Sequence, residues 1–381
     1  MNFCELLPLE LGWTVKSWKM LGGKCNIPPR SLVSVLAKIV TISLVTVLLL
    51  EGVCRIYNKL NPTFIFPSDS YNRFRGVSFA KRYLSQLNSQ GFNDVEHSRN
   101  KKSNIFRIVG IGDSFVFGVV PREKNFLALL ERKLNYEKTL FEIVNMGIPN
   151  IGTDSYLALL VNEGLSLSPD LVICCFFMGN DFDDRLESHP NRFHSYLYAF
   201  LKYLYIAHIE NAEAVFSSAS YRDDALNINP KKFLAIERER SLNFRKNNKD
   251  FLAKLDWATS NLKRMKEVCS LRGAQFLVVI IPDEAQVSIS LQKEVVGSYG
   301  ALAEEAFDFK FPNMLLGVRL REMNIPYIDL LDDFSALPES KRCYRPRDTH
   351  WNIAGNELAA DFIFNKLKFF LDLSGSDAAK R

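Results

Sequence analysis

The sequence predicts an α/β protein with a parallel sheet covered by helices on both faces, attached to one membrane-spanning helix. Short apolar, β-branched runs alternate with helical patterns between residues 103 and 373. These runs are apolar without period-two alternation, as expected of strands that are buried on both faces. A separate apolar stretch at residues 32–54 precedes them near the N-terminus.

The composition is that of an ordinary globular protein, with 47% hydrophobic and 24% charged residues. The net charge of +5 comes from 48 basic and 43 acidic residues, and these are spread along the chain, so no nucleic-acid partner is expected. Seven cysteines, an odd number without paired Cys-x-x-Cys spacing, indicate neither a disulfide framework nor a zinc site. The cysteines leave the redox compartment undecided.

Residues 32–54 form the predicted membrane anchor, because a hydrocarbon core needs roughly 20 apolar residues. Lys38 and Glu51 lie near the ends of this run, where long charged side chains reach the headgroups. The uncharged stretch between them also fits the core of a signal peptide, but no Ala-x-Ala-like site follows, which favours an uncleaved single-pass anchor. A slight excess of basic residues before the run favours a cytoplasmic segment at 1–31. Everything after about Arg55 is then extracytoplasmic, on the periplasmic side of a bacterial inner membrane.

The remaining elements are predicted in order along the chain. The polar segment 55–102 contains Pro62, Pro67 and a turn at 91–94. It is predicted to be a linker and a peripheral segment through which the chain enters the domain at 103–373. Buried strands are predicted at 105–111, 141–145, 171–177, 275–281 and 326–330. Helices are predicted at 125–134, 155–165, 251–271, 301–322 and 353–371.

Residues from about 182 to 250 are too many for a simple crossover, so they predict an insertion after the third strand. We interpret its aromatic residues as packing residues: Tyr196, Tyr198, Phe200, Tyr203 and Tyr205. The insertion leaves the carboxyl end of a central strand, where ligands of open α/β sheets bind. A lid or a wall around an acyl group is therefore the alternative interpretation.

Ser114 is the candidate nucleophile. It follows the first predicted strand in the sequence Gly112-Asp113-Ser114, at the carboxyl edge of the sheet, and the adjacent glycine permits a sharp turn. The tripeptide alone is a weak signal, because all three residue types are common in turns. A catalytic serine also needs a base that takes its proton and a carboxylate that orients the base.

His350 is the candidate base. Of the five histidines, it lies in the loop between the last predicted strand and the last helix, whereas His97 precedes the first strand and the others fall in the insertion. Asp348, two residues earlier, is close enough for a turn to hold its carboxylate against the imidazole. The alternative is a helix-capping Asp348 and a surface His350.

Two loops offer hydrogen-bond donors for an oxyanion. The third strand ends in Gly179-Asn180-Asp181, which places the side-chain amide of Asn180 at the same edge as Ser114. The second strand runs into the loop 145–152, whose backbone N–H groups are further donors. The alternative role for Asn180 is to cap its own loop.

Four blocks in this order resemble those of the SGNH (GDSL-like) hydrolases: Gly112-Asp113-Ser114, Asn145-x-Gly147, Gly179-Asn180-Asp181 and Asp348-x-His350. The match covers roughly residues 105–371, apart from most of the insertion. The resemblance implies a flavodoxin-like three-layer α/β/α sandwich with a parallel five-stranded sheet, and ester hydrolysis or acyl transfer without a metal ion. It assigns Ser114 as nucleophile and, through its N–H, as first oxyanion donor. It also assigns Asn180 as side-chain donor, His350 as base and Asp348 as the partner of the base.

The sequence departs from the family pattern at two points. The usual glycine of the second block aligns with Asn150, which keeps an N–H donor and tolerates a left-handed backbone; Gly152 and Gly147 are the rival donors. Many members place two residues between the last aspartate and histidine, whereas Asp348 and His350 are separated by one. The form Asp-Thr-His-Trp is similar to that of SGNH proteins that O-acetylate exported polysaccharides, such as the alginate acetylation proteins.

Three functions remain open at this point. An esterase passes the acyl group, here an acetyl group by preference, to water; an O-acyltransferase passes it to a hydroxyl of a cell-surface or exported glycan; a non-catalytic module binds or assembles glycans. The four intact polar residues favour an enzyme whose partners are an acyl-ester substrate, a glycan in the second case, and the membrane. No cofactor is expected. No metal site is expected either, because the acidic cluster after the third strand has no histidine or cysteine at ligand spacing: Asp181, Asp183 and Asp184.

Overall fold

The structure is a computed structural model that describes residues 29–60, 71–76, 78–136, 140–183, 195–209, 221–246, 248–300, 306–338 and 340–378. The chain divides into two compact units, Met1–Val53 and Cys54–Arg381. Helix α1 (Pro29–Leu60) includes the stretch Val33–Leu60, which is long and apolar enough to cross a membrane. A signal sequence passes the same test. Within the described ranges it is the one such helix.

Five parallel strands form the central sheet of the second unit. They are β1 (Phe106–Gly112), β2 (Phe141–Gly147), β3 (Leu171–Phe177), β4 (Gln275–Ile281) and β5 (Tyr327–Asp329). Their order in the sheet is β2-β1-β3-β4-β5, the order of flavodoxin-like sheets. The predicted fold class is therefore confirmed, and each predicted strand is present.

Helices connect the strands and close the domain. Their bounds are α2 (Ser114–Phe117), α3 (Phe126–Leu134), α4 (Thr153–Asn162), α5 (Tyr196–Ile209), α6 (Pro230–Arg240), α7 (Lys249–Leu271), α8 (Glu284–Val287), α9 (Ile289–Gly297), α10 (Phe311–Glu322), α11 (Leu331–Ser335) and α12 (Ile353–Ala378). Helices α4, α7 and α10 pack on one face of the sheet. Helices α3, α11 and α12 pack on the other. The neighbours Cys174 and Cys175 enter opposite cores, because successive side chains of a strand alternate between its faces.

The strand order places a crevice next to β1. Gly110 of β1 pairs with Asn145 of β2 on one side and with Ile173 of β3 on the other. The connections from β1 to β2 and from β2 to β3 run in opposite directions across the sheet, so the chain order reverses beside β1. In open parallel sheets the crevice at such a reversal, outside the carboxyl ends of the strands, is the usual ligand site. Ser114 follows β1 at this end.

Helix α10 begins later than the sequence pattern predicts. The prediction was a helix over 301–322, but α10 starts at Phe311 and has Pro312 in its first turn. Proline lacks an N–H group and is accommodated in a helix best at the first turn, so Pro312 fixes the start. Phe307 instead forms an isolated bridge with Arg245. Residues 301–305 lie outside the described residues.

The insertion contributes α5, α6 and a 3₁₀ turn at Ser241–Phe244. Tyr198 and Tyr205 of α5 are each 67% exposed. The interpretation of the aromatic residues as packing residues is therefore wrong for these two, which lie seven residues apart on one solvent-facing side of the helix. The side chain of Tyr203 lies outside the described residues.

Candidate active site

Ser114 is the first residue of α2, immediately after β1. The carboxylate of Asp113 caps this short helix by accepting a hydrogen bond from the N–H of Phe115 at 2.9 Å. A Cβ atom at Gly112 would lie 2.4 Å from Cγ2 of Val116 and 3.0 Å from the carbonyl oxygen of Cys175. The turn therefore requires glycine, and it presents Ser114 at the carboxyl edge of the sheet.

The structure brings His350 and Asp348 to Ser114. Nε2 of His350 lies 2.7 Å from Oγ of Ser114, and Nδ1 lies 2.8 Å from Oδ1 of Asp348. With its proton on Nδ1, the imidazole donates to the carboxylate and accepts from the serine hydroxyl. Residues 236 positions apart in the sequence are thus in direct contact.

The loop that carries Asp348 and His350 has an uncommon backbone. Arg347 has φ of 52° and Thr349 has φ of 35°, both in the left-handed region. A β-branched residue is strained there, at a cost of about 1–3 kcal/mol. The two left-handed residues fold the chain back around Asp348, so that the side chains at 348 and 350 meet.

Asp348 is surrounded by groups that favour its ionised form. Its side chain is 8% exposed, Oδ2 lies 2.8 Å from Nη1 of Arg345, and the same oxygen accepts a hydrogen bond from Nδ2 of Asn227. Burial raises the pKa of Asp348, but the hydrogen bond and charge of His350, the charge of Arg345 and the Asn227 hydrogen bond outweigh it and hold the pKa below its usual value. The carboxylate is therefore ready to accept the Nδ1–H of His350.

Thr349 connects this loop to α6. Its hydroxyl donates to Oε1 of Glu237 at 3.0 Å and accepts from Nη1 of Arg240 at 2.7 Å. Arg240 also donates to Glu237 at 3.0 Å. Burial first, and then the charge of Asp283, raise the pKa of Glu237 well above its usual value. The hydroxyl of Thr349 is therefore hydrogen-bonded to both members of the Glu237–Arg240 pair.

The side chain of Trp351, the residue after His350, is packed in the core of the domain. Its indole is 1% exposed, is stacked on Phe334 at a centroid distance of 5.1 Å and meets the edges of Phe115 at 5.0 Å and Phe126 at 5.7 Å. Phe115 in turn lies 5.3 Å from the imidazole ring of His350. One aromatic cluster therefore supports both the helix that presents Ser114 and the loop that presents His350.

The oxyanion candidates lie in different environments. Asn180 is buried, and its Oδ1 has no hydrogen-bond partner among the residues that the structure describes. Asn150 is exposed and has φ of 61°, the left-handed conformation that asparagine tolerates. The N–H of Gly147 donates to Oδ1 of Asn145 at 2.9 Å, so this group is already engaged. Asn150 and the buried Gly152 remain as the candidate donors of their loop.

The acidic cluster after β3 serves the structure of its loop. The buried carboxylate of Asp181 accepts hydrogen bonds from the hydroxyl of Tyr156 at 2.9 Å and from the N–H of Phe177 at 2.8 Å. Asp183 pairs with Lys254 at 2.5 Å, and Asp184 lies outside the described residues. Within the part of the chain that the structure describes, no group of three histidine, cysteine, aspartate or glutamate side chains is arranged to hold a metal ion.

Sequence reasoning missed the residues that surround the triad. Asn227, Glu237 and Arg240 belong to the insertion, where no motif marks them, because their contacts arise from the docking of α6 on a distant loop. Arg345 had a local signal, since an arginine three residues before Asp348 brings a cation close to the carboxylate.

A cavity of about 710 Å³ adjoins the triad loop. Leu226 and Phe233 of the insertion line it together with Tyr344 and Arg347 of the loop. Neither Ser114 nor His350 is among its lining residues, so the cavity lies beside the loop and does not enclose Ser114. Its volume is within the range of small-molecule sites.

No protein-family model matches the sequence, and no curated protein matches it significantly. Similar solved structures include an acetyl xylan esterase, with 13% identity, a TM-score of 0.40 and coverage of 68% of this chain and 98% of that one. A lipase/acylhydrolase from Enterococcus faecalis has 16% identity, a TM-score of 0.37 and coverage of 69% and 96%. A GDSL-like lipase from Bacteroides thetaiotaomicron has 10% identity, a TM-score of 0.36 and coverage of 71% and 92%.

Proposed function

We propose that this chain is a serine ester hydrolase of the SGNH type, which cleaves an acyl ester, by preference an acetyl ester, through an acyl-enzyme. The observation that supports it most directly is the line of contacts from Oγ of Ser114 through the imidazole of His350 to the carboxylate of Asp348, at 2.7 and 2.8 Å. This arrangement turns a weakly nucleophilic hydroxyl into an attacking group. The four sequence blocks that resemble SGNH hydrolases support the same assignment.

In the proposed mechanism, His350 takes the proton of Ser114 as Oγ forms a bond to the acyl carbonyl carbon. Asp348 stabilises the imidazolium that results. The oxyanion accepts hydrogen bonds from the N–H of Ser114, the side-chain amide of Asn180 and an N–H of Asn150 or its rival Gly152. His350 then protonates the leaving alcohol, and in the second step it activates a water molecule that releases the acid and restores Ser114.

Fluorophosphonate labelling and hydrolysis of p-nitrophenyl acetate by the purified full chain test this proposal. We expect wild-type protein to be labelled and active, and Ser114→Ala to lose labelling and to lower kcat by a factor on the order of 10⁶. Ser298→Ala, at a serine whose hydroxyl donates to the carbonyl of Val295 at the end of α9, is the control and should retain both. A Ser114→Ala protein with wild-type labelling and activity would rule the proposal out.

The activity should depend on the imidazole of His350, because that ring accepts the proton of Ser114 in the proposed mechanism. The measurement is kcat/KM for p-nitrophenyl acetate as a function of pH. His350→Ala should be inactive over the whole range. Undiminished activity in that variant would contradict the role given to His350.

Acyl transfer to a glycan hydroxyl is the second candidate function, favoured by the Asp348-Thr349-His350-Trp351 form of the last block. The triad acts identically, and a sugar hydroxyl replaces water in the second step. Acetate release and acetylation of oligosaccharide acceptors should be compared on the same purified protein. If simple esters are cleaved while no acceptor gains an acyl group, transfer is excluded for the acceptors used.

We also place the second unit on the periplasmic side of a bacterial inner membrane, tethered by α1 as an uncleaved anchor. The apolar stretch Val33–Leu60 supports a membrane span by its length and composition. A C-terminal alkaline phosphatase fusion should be active, because that enzyme needs export to form its disulfides. An inactive phosphatase fusion together with a fluorescent C-terminal GFP fusion would show that the second unit lies in the cytoplasm, opposite to this proposal.

A further inference from the structure

We propose that residues 221–240 of the insertion, here called the clamp, position the loop that carries Asp348 and His350, and that Asn227 is the positioning residue for the Asp348 carboxylate. This inference rests on the proposed function, because it assigns a role relative to that triad. It assigns to part of the insertion after β3 the role of positioning the proposed catalytic residues.

The two oxygens of Asp348 have different partners. Oδ1 meets Nδ1 of His350 at 2.8 Å, whereas Oδ2 is held by Arg345 at 2.8 Å and by Nδ2 of Asn227. Rotation of a carboxylate about its last torsion is soft, so both oxygens must be held for one to stay aligned. Asn227 is a neutral donor on the oxygen that His350 does not use. It restricts this rotation without competing for the imidazole.

The residue between Asp348 and His350 is held by the same segment. Thr349 is strained at φ of 35°, and Glu237 and Arg240 of the clamp form hydrogen bonds with its hydroxyl at 3.0 and 2.7 Å. A strained backbone persists where the surroundings over-determine it. The clamp therefore acts at two consecutive residues of the loop, on the side chain of each.

The clamp is itself fixed to the frame of the domain. The ring of Tyr221 lies 5.1 Å from the guanidinium of Arg345, and the carboxylate of Asp223 accepts a hydrogen bond from the N–H of Ile353 at 3.1 Å, at the start of α12. Phe233 of α6 is buried in a small core shared with α9. Because the attachments of Asp223 and Phe233 lie outside the Asp348–His350 turn, the clamp can hold that turn in place.

Asn227→Ala and Asn227→Asp, compared with Asn135→Ala, test the inference on the full chain. Asn135 follows α3, and its side chain accepts hydrogen bonds from the N–H groups of Leu140 and Phe141, each at 2.9 Å, so it is a matched control outside the clamp. We expect Asn227→Ala to lower kcat for p-nitrophenyl acetate about 10- to 100-fold, the effect of losing a hydrogen bond to a charged group. KM should change less than about twofold, because the side chain acts on the triad and not on the substrate.

Asn227→Asp separates hydrogen bonding from space filling. The carboxylate has the size of the amide but offers no donor at neutral pH and sets a negative charge against Oδ2 of Asp348. Its kcat should therefore be at least as low as that of Asn227→Ala. Asn135→Ala should lower the melting temperature and leave kcat unchanged. Each kcat is expressed per site titrated with fluorophosphonate, so that misfolded protein does not enter the comparison.

The outcomes separate the two proposals. Wild-type kcat in Asn227→Asp would show that residue 227 only fills space. An equal loss of kcat in Asn135→Ala would reduce the effect to a general loss of stability. Either result overturns the positioning role. A fully active Ser114→Ala would instead overturn the proposed function itself. An inactive Ser114→Ala together with a fully active Asn227→Ala would overturn the clamp alone.

Discussion

At the residue scale, Asp348 is met by the imidazole of His350 on one oxygen and by two donors on the other. Its lowered pKa means that folding favours the ionised form. The corresponding contribution to stability is present above the pKa of the unfolded chain and is lost as the pH falls through the folded value. The same contacts that keep the carboxylate charged also aim it at the base.

Asp348→Asn should lower kcat for p-nitrophenyl acetate by a factor of about 10⁴, since an amide no longer enforces the imidazole tautomer that accepts the serine proton. KM should change little, because residue 348 does not face the acyl group. Asp332→Asn, at a side chain that is 91% exposed on α11, is the control. If the kcat of Asp348→Asn is within tenfold of the wild-type kcat, residue 348 does not orient the imidazole.

The contacts among Ser114, His350 and Asp348 could be predicted because each of these residues lies in a short local motif. Ser114 follows a buried strand, and Asp348 lies two residues from His350, so spacing alone suggested both contacts. Asn227 and Arg240 were not predictable, because their partners are more than a hundred positions away and nothing in the sequence shows where the insertion docks.

At the element scale, the end of β2 supports α2 and thereby Ser114. A Cβ atom at Gly147 would lie 2.0 Å from the backbone nitrogen of Phe117, and Nδ2 of Asn145 donates to the carbonyl of Val116 at 2.6 Å. The Asn-x-Gly sequence at the end of β2 therefore has a structural task in this chain. It lets the helix of the nucleophile pack directly against the neighbouring strand.

Gly147→Ala should destabilise the protein by about 1–3 kcal/mol, the usual cost of overpacking, and should lower kcat as α2 moves away from His350. Gly297→Ala is the matched control, because no atom counted among the described residues lies within 4 Å of a Cβ atom at that position. Thermal unfolding and ester hydrolysis are measured on the same preparations. Equal melting temperatures for the two variants would contradict the close packing of β2 on α2.

Among the secondary-structure elements, the buried strands were predicted most accurately. Strands β1 to β4 are mainly apolar because both of their faces are covered, and this pattern can be recognised without knowing how the chain folds. The start of α10 was predicted wrongly because the apolar run before Pro312 resembles a helical face, whereas Phe307 pairs with Arg245 in the structure. That pairing depends on a partner in the insertion.

At the scale of the whole molecule, a partly buried ionic network connects the segment before β1 to the edge of the sheet. His97 lies between Asp94 at 3.0 Å and Glu142 of β2 at 2.9 Å, and Arg107, 2% exposed, pairs with Glu142 at 2.5 Å. Burial lowers the pKa of His97, but the hydrogen bonds and charges of Asp94 and Glu142 outweigh it and raise the pKa to about 9. The folded chain therefore holds a proton that the unfolded chain releases near the ordinary histidine value.

The stabilising contribution of His97 should be fully present below the ordinary pKa of 6.5 and should be lost as the pH rises through about 9. His97→Gln should accordingly lower the melting temperature most at pH 6, and the difference from wild type should shrink by pH 10. Thermal unfolding of both proteins in detergent across this range is the measurement. A difference that grows with pH would mean that His97 is neutral in the folded protein.

The aromatic cluster around Trp351 has a practical consequence. The chain contains four tryptophans, and the indole at 351 is the one that follows the proposed base directly and touches Phe115, the neighbour of the proposed nucleophile. Emission from this buried ring is thus coupled to the packing of the triad. The difference spectrum between wild type and Trp351→Phe isolates its signal, so stopped-flow fluorescence can time the formation and decay of the acyl-enzyme with no attached label.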